Sequence, residues 1–509
     1  MNTQDFSQVV EIARREFQSG KTTDIKFRKA NLRGLLHFYQ ENETELAEAV
    51  YADLGRTPDE TIVAEISLLL RDVKTMLANV EHWSQQHTVG RSLATLLDWP
   101  YVRPQPRGLV LILSAWNYPL QLSLLPLSGA IAAGCCAVLK PSELAPATAA
   151  LLADRLPRYL ESACYPVVCG GVPESQRLLQ LRFDHVFFTG STAVGRLVAA
   201  AASQHLTPVT LELGGKSPVY LDDSVNMEYA ARRILWGKTV NLGQTCIAPD
   251  YLLCTKATEE AFLEAGRRVL HQWFGERPED SPSLGRMLNK RHFSRVRKLL
   301  ENSGRVALGG RCFEQTLFIE PTVLTDVRAE DPVMEEEIFG PVLPIITVNS
   351  ADDAIRFINS RTPHALSLYI FSSRRDVKDR FIRETDSGTV MCNDTMYHAI
   401  VEQLPFGGVG TSGMGAYHGK HSFDTFSHYK PVLERNYNPV AELCCSVRYP
   451  PYEPTKTRLA KLLLKNPAVP DLSAVKYTIV FLLGLLSIYL IRVFAQALGY
   501  EDRLPDFLA

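Results

Sequence analysis

Apolar positions recur among charged ones at helical spacing from residue 5 to about residue 85; Leu32, Leu35, Leu36 and Phe38 form one such set, so this stretch reads as helical. At Gly108 the texture changes to short apolar runs alternating with longer helical stretches. Strands are predicted over 109–113, 137–139, 167–168 and 185–188, with a helix over 120–134. After Glu212 a second such region begins, with strand candidates at 219–221, 252–255, 342–347 and 368–371. Strands alternating with helices predict an α/β fold built on parallel, doubly wound sheets. Neither an internal repeat nor a low-complexity tract interrupts this body.

After Val432 the pattern shifts again. Tyr449-Pro450-Pro451-Tyr452-Glu453-Pro454 is a proline-rich, extended linker that no helix can cross. A basic amphipathic stretch follows at 458–465. Residues 477–491 are then 15 positions without a charge, flanked by Lys476 and Arg492. At ~1.5 Å per residue they cover about 22 Å, short of the ~30 Å hydrocarbon core; extension to Leu498 gives about 33 Å, with Arg492 snorkelling to the nearer interface. Strongly apolar residues at roughly −0.4 kcal/mol each sum to on the order of −4 kcal/mol for insertion, more than one arginine near an end costs. A globular helix would show a polar face, and this one has only Thr478, Ser487 and tyrosine side chains. The segment 474–498 is therefore expected to be a transmembrane helix. The region 456–476 carries a local charge of +4 and the segment after Arg492 one of −2, which keeps the basic side and the main body in the cytosol as a tail-anchored protein.

Composition adds bounds. A chain of 509 residues is too long for one compact core and predicts two or three structural units. A net charge of −2 provides no global field for nucleic acid. The ten cysteines include no CxxC pair, and Cys135-Cys136 and Cys444-Cys445 are vicinal, a spacing that suits neither a zinc knuckle nor an ordinary disulfide; a reducing compartment follows for the main body. Residues 1–17 contain Asp5 and Glu11 and no apolar core, so they do not form a secretory signal.

The candidate chemistry centres on Gln244-Thr245-Cys246-Ile247 and on Leu211-Glu212-Leu213-Gly214-Gly215-Lys216. Cys246 and Glu212 stand 34 positions apart, so only a fold brings them together. A thiol supplies a nucleophile and a carboxylate a general base, the minimum for forming and hydrolysing a covalent acyl intermediate. Gly243, Gln244 and Thr245 read as an exposed turn, whereas Cys135, Cys254 and Cys392 read as small buried hydrophobes. Asn117 follows the first strand at its carboxyl end, where ligands bind in open α/β sheets, and its amide could donate to an oxyanion. Gly190-Ser191-Thr192-Ala193-Val194-Gly195 follows a strand and opens a helix, a place where small residues let a backbone approach a pyrophosphate. Lys140 and Glu143 follow the second strand, where a Rossmann fold holds its ribose-binding carboxylate. His418-Gly419-Lys420-His421 lacks the cysteines or carboxylates that would complete a metal site, and no metal is expected.

Together with Trp116-Asn117-Tyr118-Pro119, Lys140-Pro141-Ser142-Glu143, Phe188-Thr189-Gly190-Ser191 and Glu337-Ile338-Phe339-Gly340-Pro341, these fragments resemble the NAD(P)-dependent aldehyde dehydrogenase superfamily from about residue 10 to about residue 432. Pro-Gln-Pro-Arg-Gly at 104–108 and Pro-Phe-Gly-Gly-Val-Gly at 405–410 are most similar to the class 3, fatty aldehyde dehydrogenase branch. The resemblance implies a Rossmann-type cofactor domain over 1–210, with an oligomerisation excursion near 83–105, and an α/β catalytic domain over 211–400. It implies a return to the oligomerisation and cofactor region over 401–448, followed by the linker and basic stretch at 449–473 and the anchor at 474–498. It implies Cys246 as nucleophile, Glu212 as the base that activates the deacylating water, and Asn117 with the Cys246 N–H as oxyanion donors. Trp116, Lys140, Glu143, Gly190, Ser191, Gly195, Glu337 and Phe339 are the implied cofactor residues, with Glu337 and Phe339 at the nicotinamide ribose and ring. NAD is the expected cofactor, with NADP tolerated through Lys140. A homodimer at the endoplasmic reticulum acting on medium- to long-chain aliphatic aldehydes is implied as well. The alternatives are a catalytically silent binding protein of the same fold, which would have lost the nucleophile or base, and a thioesterase, which would not need Lys140, Glu143 and Gly190-Ser191.

Overall fold

The computed structural model describes residues 6–361, 364–465, 478 and 481–489. Its N-terminal helices are α1 (Phe6–Gln18), α2 (Ile25–Glu41), α3 (Glu43–Leu54) and α4 (Ser67–Trp83). Each buries one stripe: Leu32, Leu35 and Phe38 of α2 are wholly buried, as the apolar spacing predicts. Between α3 and α4 the chain departs from regular helix, with a short α-turn at Pro58–Thr61 and a π turn at Ile62–Ile66.

The first sheet follows. Strands β1 (Leu109–Leu113), β2 (Cys136–Lys140), β3 (His185–Thr189) and β4 (Val209–Glu212) are parallel, and every residue of the first three is buried. Continuous apolar runs are what a parallel sheet covered on both faces requires. Helix α5 (Gln121–Ala133) links β1 to β2 and is buried from Leu122 to Ala133, the pattern of a helix packed on all sides. Helix α6 (Thr192–Ser203) follows β3.

The second sheet has seven strands. In chain order they are β5 (Pro218–Leu221), β6 (Tyr251–Cys254), β7 (Arg305–Leu308), β8 (Thr322–Thr325), β9 (Val342–Thr347), β10 (Ala365–Phe371) and β11 (Ser387–Cys392). They are arranged β11-β10-β5-β6-β9-β8-β7, all parallel except the β7–β8 pair. A two-residue strand β12 (Gly413–Met414) returns to pair antiparallel with β4, giving the first sheet the order β12-β4-β3-β1-β2.

The structure corrects two expectations about elements. Residues 167–168 form no strand: Val167 makes a single isolated parallel bridge to Leu139 beside β2, because the chain leaves the sheet after one bond pair. In addition, β7, β8, β11 and β12 have no counterpart among the strands that the apolar pattern predicts.

The chain divides into two compact units, one comprising the helices and both sheets (Met1–Gln85 with Pro104–Lys430) and the other Gln86–Arg103 with the chain from Pro431. In the second unit, His87–Thr88 pairs antiparallel with the strand Trp99–Pro106, and helices Pro439–Cys445 and Pro454–Leu464 flank the proline-rich linker. The expected membrane segment 474–498 lies outside the described residues apart from Thr478 and 481–489, which are helical. Among the described residues no helix is long and apolar enough to cross a membrane.

Candidate active site

The carboxyl ends of the first sheet's strands converge with the turn that follows the helix Met227–Thr239. Glu212 is the last residue of β4, where it pairs with Thr189 on one side and with Gly413 on the other. Its side chain is buried, with neither carboxylate oxygen hydrogen-bonded. Burial alone pushes its carboxyl well above the usual carboxylate range.

Cys246 arrives by a sharper device. After Thr239 the chain enters a tight turn in which Asn241, Leu242 and Gly243 have φ of 49°, 52° and 72°. Three consecutive left-handed residues reverse the backbone, at a cost that two non-glycine residues carry only where packing enforces it. The enforcing contacts are visible. The Asn241 side chain donates to the carbonyls of Asn117 at 2.8 Å and Gln244 at 3.1 Å, and the Gln244 amide bridges to Arg286 and Leu288 at 3.0 Å each. The turn is therefore interior rather than exposed as the sequence predicts: Gln244 and Thr245 are buried, and Cys246 itself is half-buried.

The Cys246 thiol is pushed up by burial and by the neighbouring Glu337 and Glu212 carboxylates, while the backbone N–H groups of Cys246 and Ile247 pull it back down. Glu337 thus weighs on the sulfur along with Glu212. Its carboxylate lies over the Gly214-Gly215 turn, with Oε2 2.0 Å from the point a Cβ on Gly214 would occupy, and it accepts from the Gly215 N–H. Burial, then Asp250, pushes Glu337 up to about 8, against the pull of Lys216.

Asn117 is buried four residues past β1, and its Nδ2 donates to the Gln244 carbonyl at 3.1 Å. A primary amide carries two hydrogens, so this bond leaves one for a ligand. Next to it, Tyr118 Oη shares a hydrogen bond with Thr245 Oγ1 at 2.8 Å. Trp116 meets the rings of Phe339 and His292 edge-on at 5.4 and 5.2 Å.

The expected cofactor residues fall at the ends of the same strands. Lys140 closes β2, and its Nζ donates to Glu143 Oε2 at 3.2 Å, leaving the Glu143 side chain 41% exposed. Gly190 lies between β3 and α6; a Cβ there would stand 2.5 Å from Phe188 Cζ, and one on Gly195 would stand 2.5 Å from Leu213 Cδ2. Ser191 caps α6, accepting from the Val194 N–H at 3.4 Å. A turn of small residues at a capped helix N-terminus, with an accessible carboxylate past the end of β2, on the far side of β1 in the same sheet, fits a dinucleotide's pyrophosphate and ribose.

Sequence reasoning passes over several side chains that build this site. Lys216 is buried and pairs with Asp250, also donating to the carbonyls of Val333 at 2.8 Å and Glu336 at 2.9 Å. Asp250 in turn accepts from the Ile338 N–H at 3.0 Å. Lys216 stands in the Gly-Gly-Lys fragment after Glu212, which was the available signal.

A model of the aldehyde dehydrogenase family matches residues 1–432. The chain belongs to the aldehyde dehydrogenase family. This dehydrogenase is 48% identical over 454 residues to aldehyde dehydrogenase family 3 member B1 of Rattus norvegicus, covering 89% of this chain and 96% of that protein. It is 46% identical over 451 residues to family 3 member A2 of Mus musculus, covering 89% and 92%. These relatives place it in the class 3 group. Among solved structures, the substrate-bound state of Staphylococcus aureus AldH aligns with a TM-score of 0.87 at 40% identity, covering 91% of this chain and 100% of that one. An indole-3-acetaldehyde dehydrogenase complexed with NAD+ aligns with a TM-score of 0.76 at 26% identity, covering 84% and 88%. The protein is an NAD(P)-dependent aldehyde dehydrogenase.

Proposed function

We propose that this enzyme oxidises medium- to long-chain aliphatic aldehydes to carboxylic acids through a thioester on Cys246. The observation that carries this reading is the placement of Glu212 and Glu337 within electrostatic reach of the Cys246 thiol at the sheet ends. The Cys246 thiol loses its proton to Glu212, which passes it to solvent and is a carboxylate again before the second step. Burial raises both groups together, which keeps that transfer closer to balance than either shift alone would. The thiolate adds to the aldehyde carbon, and Asn117 Nδ2 and the Cys246 N–H donate to the oxyanion, each donor being worth about 3–4 kcal/mol in the transition state. When bound, the nicotinamide supplies the hydride acceptor. Glu212 then takes a proton from water as it attacks the thioester, and the acid leaves as the Cys246 sulfur is released. Lys140 and Glu143 would hold the adenosine ribose, Gly190, Ser191 and Gly195 would seat the pyrophosphate, and Glu337, Phe339 and Trp116 would hold the nicotinamide end. NAD is the preferred cofactor, with NADP accepted through Lys140.

Rapid-mixing measurement of NADH formation tests the division of labour. Glu212→Gln should retain NAD binding and some acylation and lose steady-state turnover, whereas Cys246→Ser should lose both steps. Undiminished turnover in Glu212→Gln refutes the assignment of the base.

The tail reading belongs to the same proposal: a homodimer, tail-anchored at the endoplasmic reticulum with its body in the cytosol. The helix Pro454–Leu464 supports a membrane-surface role, since Leu459 and Leu462 are exposed among Lys456, Arg458 and Lys461. An enzyme held there meets aldehydes whose chains partition into lipid at ~0.8 kcal/mol per CH₂. Deleting residues 470–509 should release a soluble enzyme that still oxidises short aldehydes; recovery of the full chain entirely in the soluble fraction overturns the anchor. Light scattering of the deleted form reads the subunit number.

A further inference from the structure

Arg56 is a cation buried completely, and the thioester chemistry of Cys246 and Glu212 makes no use of it. Its partners reach the backbone and ring of two residues of the site. Nη1 donates to the backbone carbonyl of Asn117 at 3.2 Å, Nε donates to Thr61 Oγ1 at 3.2 Å, and Nη2 pairs with Glu65. The guanidinium sits 4.9 Å from the centre of the Tyr118 ring. Glu65 uses its other oxygen to accept from the N–H groups of Leu120 at 2.9 Å and Gln121 at 2.8 Å, at the start of α5.

Two routes lead from this pair to the reacting atoms. The Asn117 carbonyl that accepts from Arg56 also accepts from Asn241, whose own N–H donates to Glu60 Oε1 at 2.6 Å. The Tyr118 ring that Arg56 covers carries the hydroxyl bonded to Thr245, the neighbour of Cys246. The local backbone is built for the purpose. Thr57 caps the turn at Pro58–Thr61, accepting from the Glu60 N–H at 3.2 Å, and the π turn at Ile62–Ile66 comes immediately after it. One extra residue in a turn rotates the downstream helix by about 100°, and Glu65 lies within that turn.

Stability does not account for the pair. A buried ion pair is on average no better than well-packed apolar side chains of the same volume, because desolvation offsets the attraction. What it supplies is direction: a planar fork with fixed donor angles. We propose that Arg56, held by Glu65, is a positioning residue that sets the oxyanion amide of Asn117 and the Tyr118–Thr245 contact in register with Cys246. This rests on the reading of Cys246 as nucleophile and Asn117 as oxyanion donor.

The test compares two buried arginines in the full chain. Arg28 donates to the carbonyls of Thr22 at 2.8 Å and Ala132 at 3.2 Å, with no contact to the site. Arg56→Lys and Arg28→Lys each keep the charge and lose the fork, and both should lower the melting temperature. At a temperature where both are folded, Arg56→Lys should lower kcat by about 10- to 100-fold, less than the roughly 100- to 1,000-fold cost of removing an oxyanion donor outright. Its aldehyde KM and NAD dissociation constant should stay within about threefold, whereas Arg28→Lys should keep kcat within about twofold. In an Asn117→Ala background the same Arg56→Lys change should cost less than it does in the wild type, because part of its effect passes through Asn117. Wild-type kcat in Arg56→Lys, equal losses in the two lysine variants, or a full cost in the Asn117→Ala background each overturns the proposal. If Arg56→Lys does not fold, Glu65→Gln takes its place with the same expected fall in kcat and the same overturning results. Full activity of Asn117→Ala alone instead overturns the reading of the oxyanion site.

Discussion

The backbone N–H of Gly190 donates to the carbonyl of Glu212 across 3.0 Å. The bond extends the β3–β4 ladder by one rung past Thr189, and it joins the turn suited to a pyrophosphate to the carboxylate proposed as base. The spacing between the Gly190 turn and Glu212 is therefore set by a sheet, whose strand separation is nearly invariant at ~4.8 Å, rather than by a loop. Rigid spacing of this kind is what a reaction with ordered steps at one carbon requires.

Glu337 predicts a pH dependence of stability. Its carboxyl stands at about 8 in the folded protein, raised by burial and Asp250, against ~4.3 in an unfolded chain. The folded state therefore holds a proton that the unfolded chain releases. The resulting stabilisation is complete below about pH 4.3 and is lost as pH rises through about 8. Glu337→Gln removes the dependence, so the melting temperature of the variant minus that of wild type, both without cofactor, should rise between about pH 5 and pH 8.5. A flat difference would show that Glu337 titrates normally.

Lys216→Met should be strongly destabilising. The substitution leaves the Asp250 carboxylate buried without its cation and frees the carbonyls of Val333 and Glu336, a loss of about 3–5 kcal/mol. Lys216 and Asp250 tether the segment that carries Glu337 and Phe339, so the KM for NAD should rise more than the KM for aldehyde. Calorimetry and steady-state kinetics with each substrate varied check both parts.

Gly243→Ala should block the site more than the φ penalty alone predicts. At φ 72° the added Cβ would stand 2.4 Å from the backbone oxygen of Gly340, and backbone cannot yield as a side chain does. Gly275 is the control: its φ is 67° and nothing lies within 4 Å. Gly275→Ala, at ψ −159° in a region that essentially only glycine adopts, should cost on the order of 1–3 kcal/mol of stability and leave the burst of NADH intact, while Gly243→Ala should lose the burst. Equal bursts in the two variants would show that the close approach at Gly243 does not hold the nucleophile in place.

Glu143→Ala should raise the KM for NAD. Its carboxylate is the accessible acceptor at the end of β2, and Lys140 beside it is 5% exposed, so loss of the glutamate should harm NAD more than NADP. An unchanged KM for NAD would place the adenosine ribose elsewhere.

The parallel strands were legible because burial on both faces makes them continuous apolar runs: 342–347 is matched end for end by Val342–Thr347, and 368–371 falls within Ala365–Phe371. Gly413–Met414 was not, since two residues carry no period. Ser387–Cys392 was missed because its residues are only partly buried or exposed and lack an apolar run. In the site, the motif context of Cys246 and Glu212 and its resemblance to the family singled these two residues out, and the structure brings them within electrostatic reach. The burial of the Cys246 turn was hidden because Gln and Thr are ordinarily surface residues; their polar side chains are satisfied in part by Tyr118, Arg286 and Leu288, which lie in other parts of the sequence. The left-handed Asn241 and Leu242 likewise answer to packing rather than to local preference.

The pairing of Gly413–Met414 with the Glu212 strand has a consequence during synthesis. A ribosome makes Glu212 some two hundred residues before the strand that covers it, and domains of this size begin to fold as they emerge. Until residue 414 appears, β4 is an open sheet edge whose last residue is an uncompensated carboxylate. Unpaired edges recruit other strands, and an inward charge is one of the devices that discourages them. Replacement of Glu212 by an apolar residue should therefore show first as aggregation of chains stalled short of residue 414.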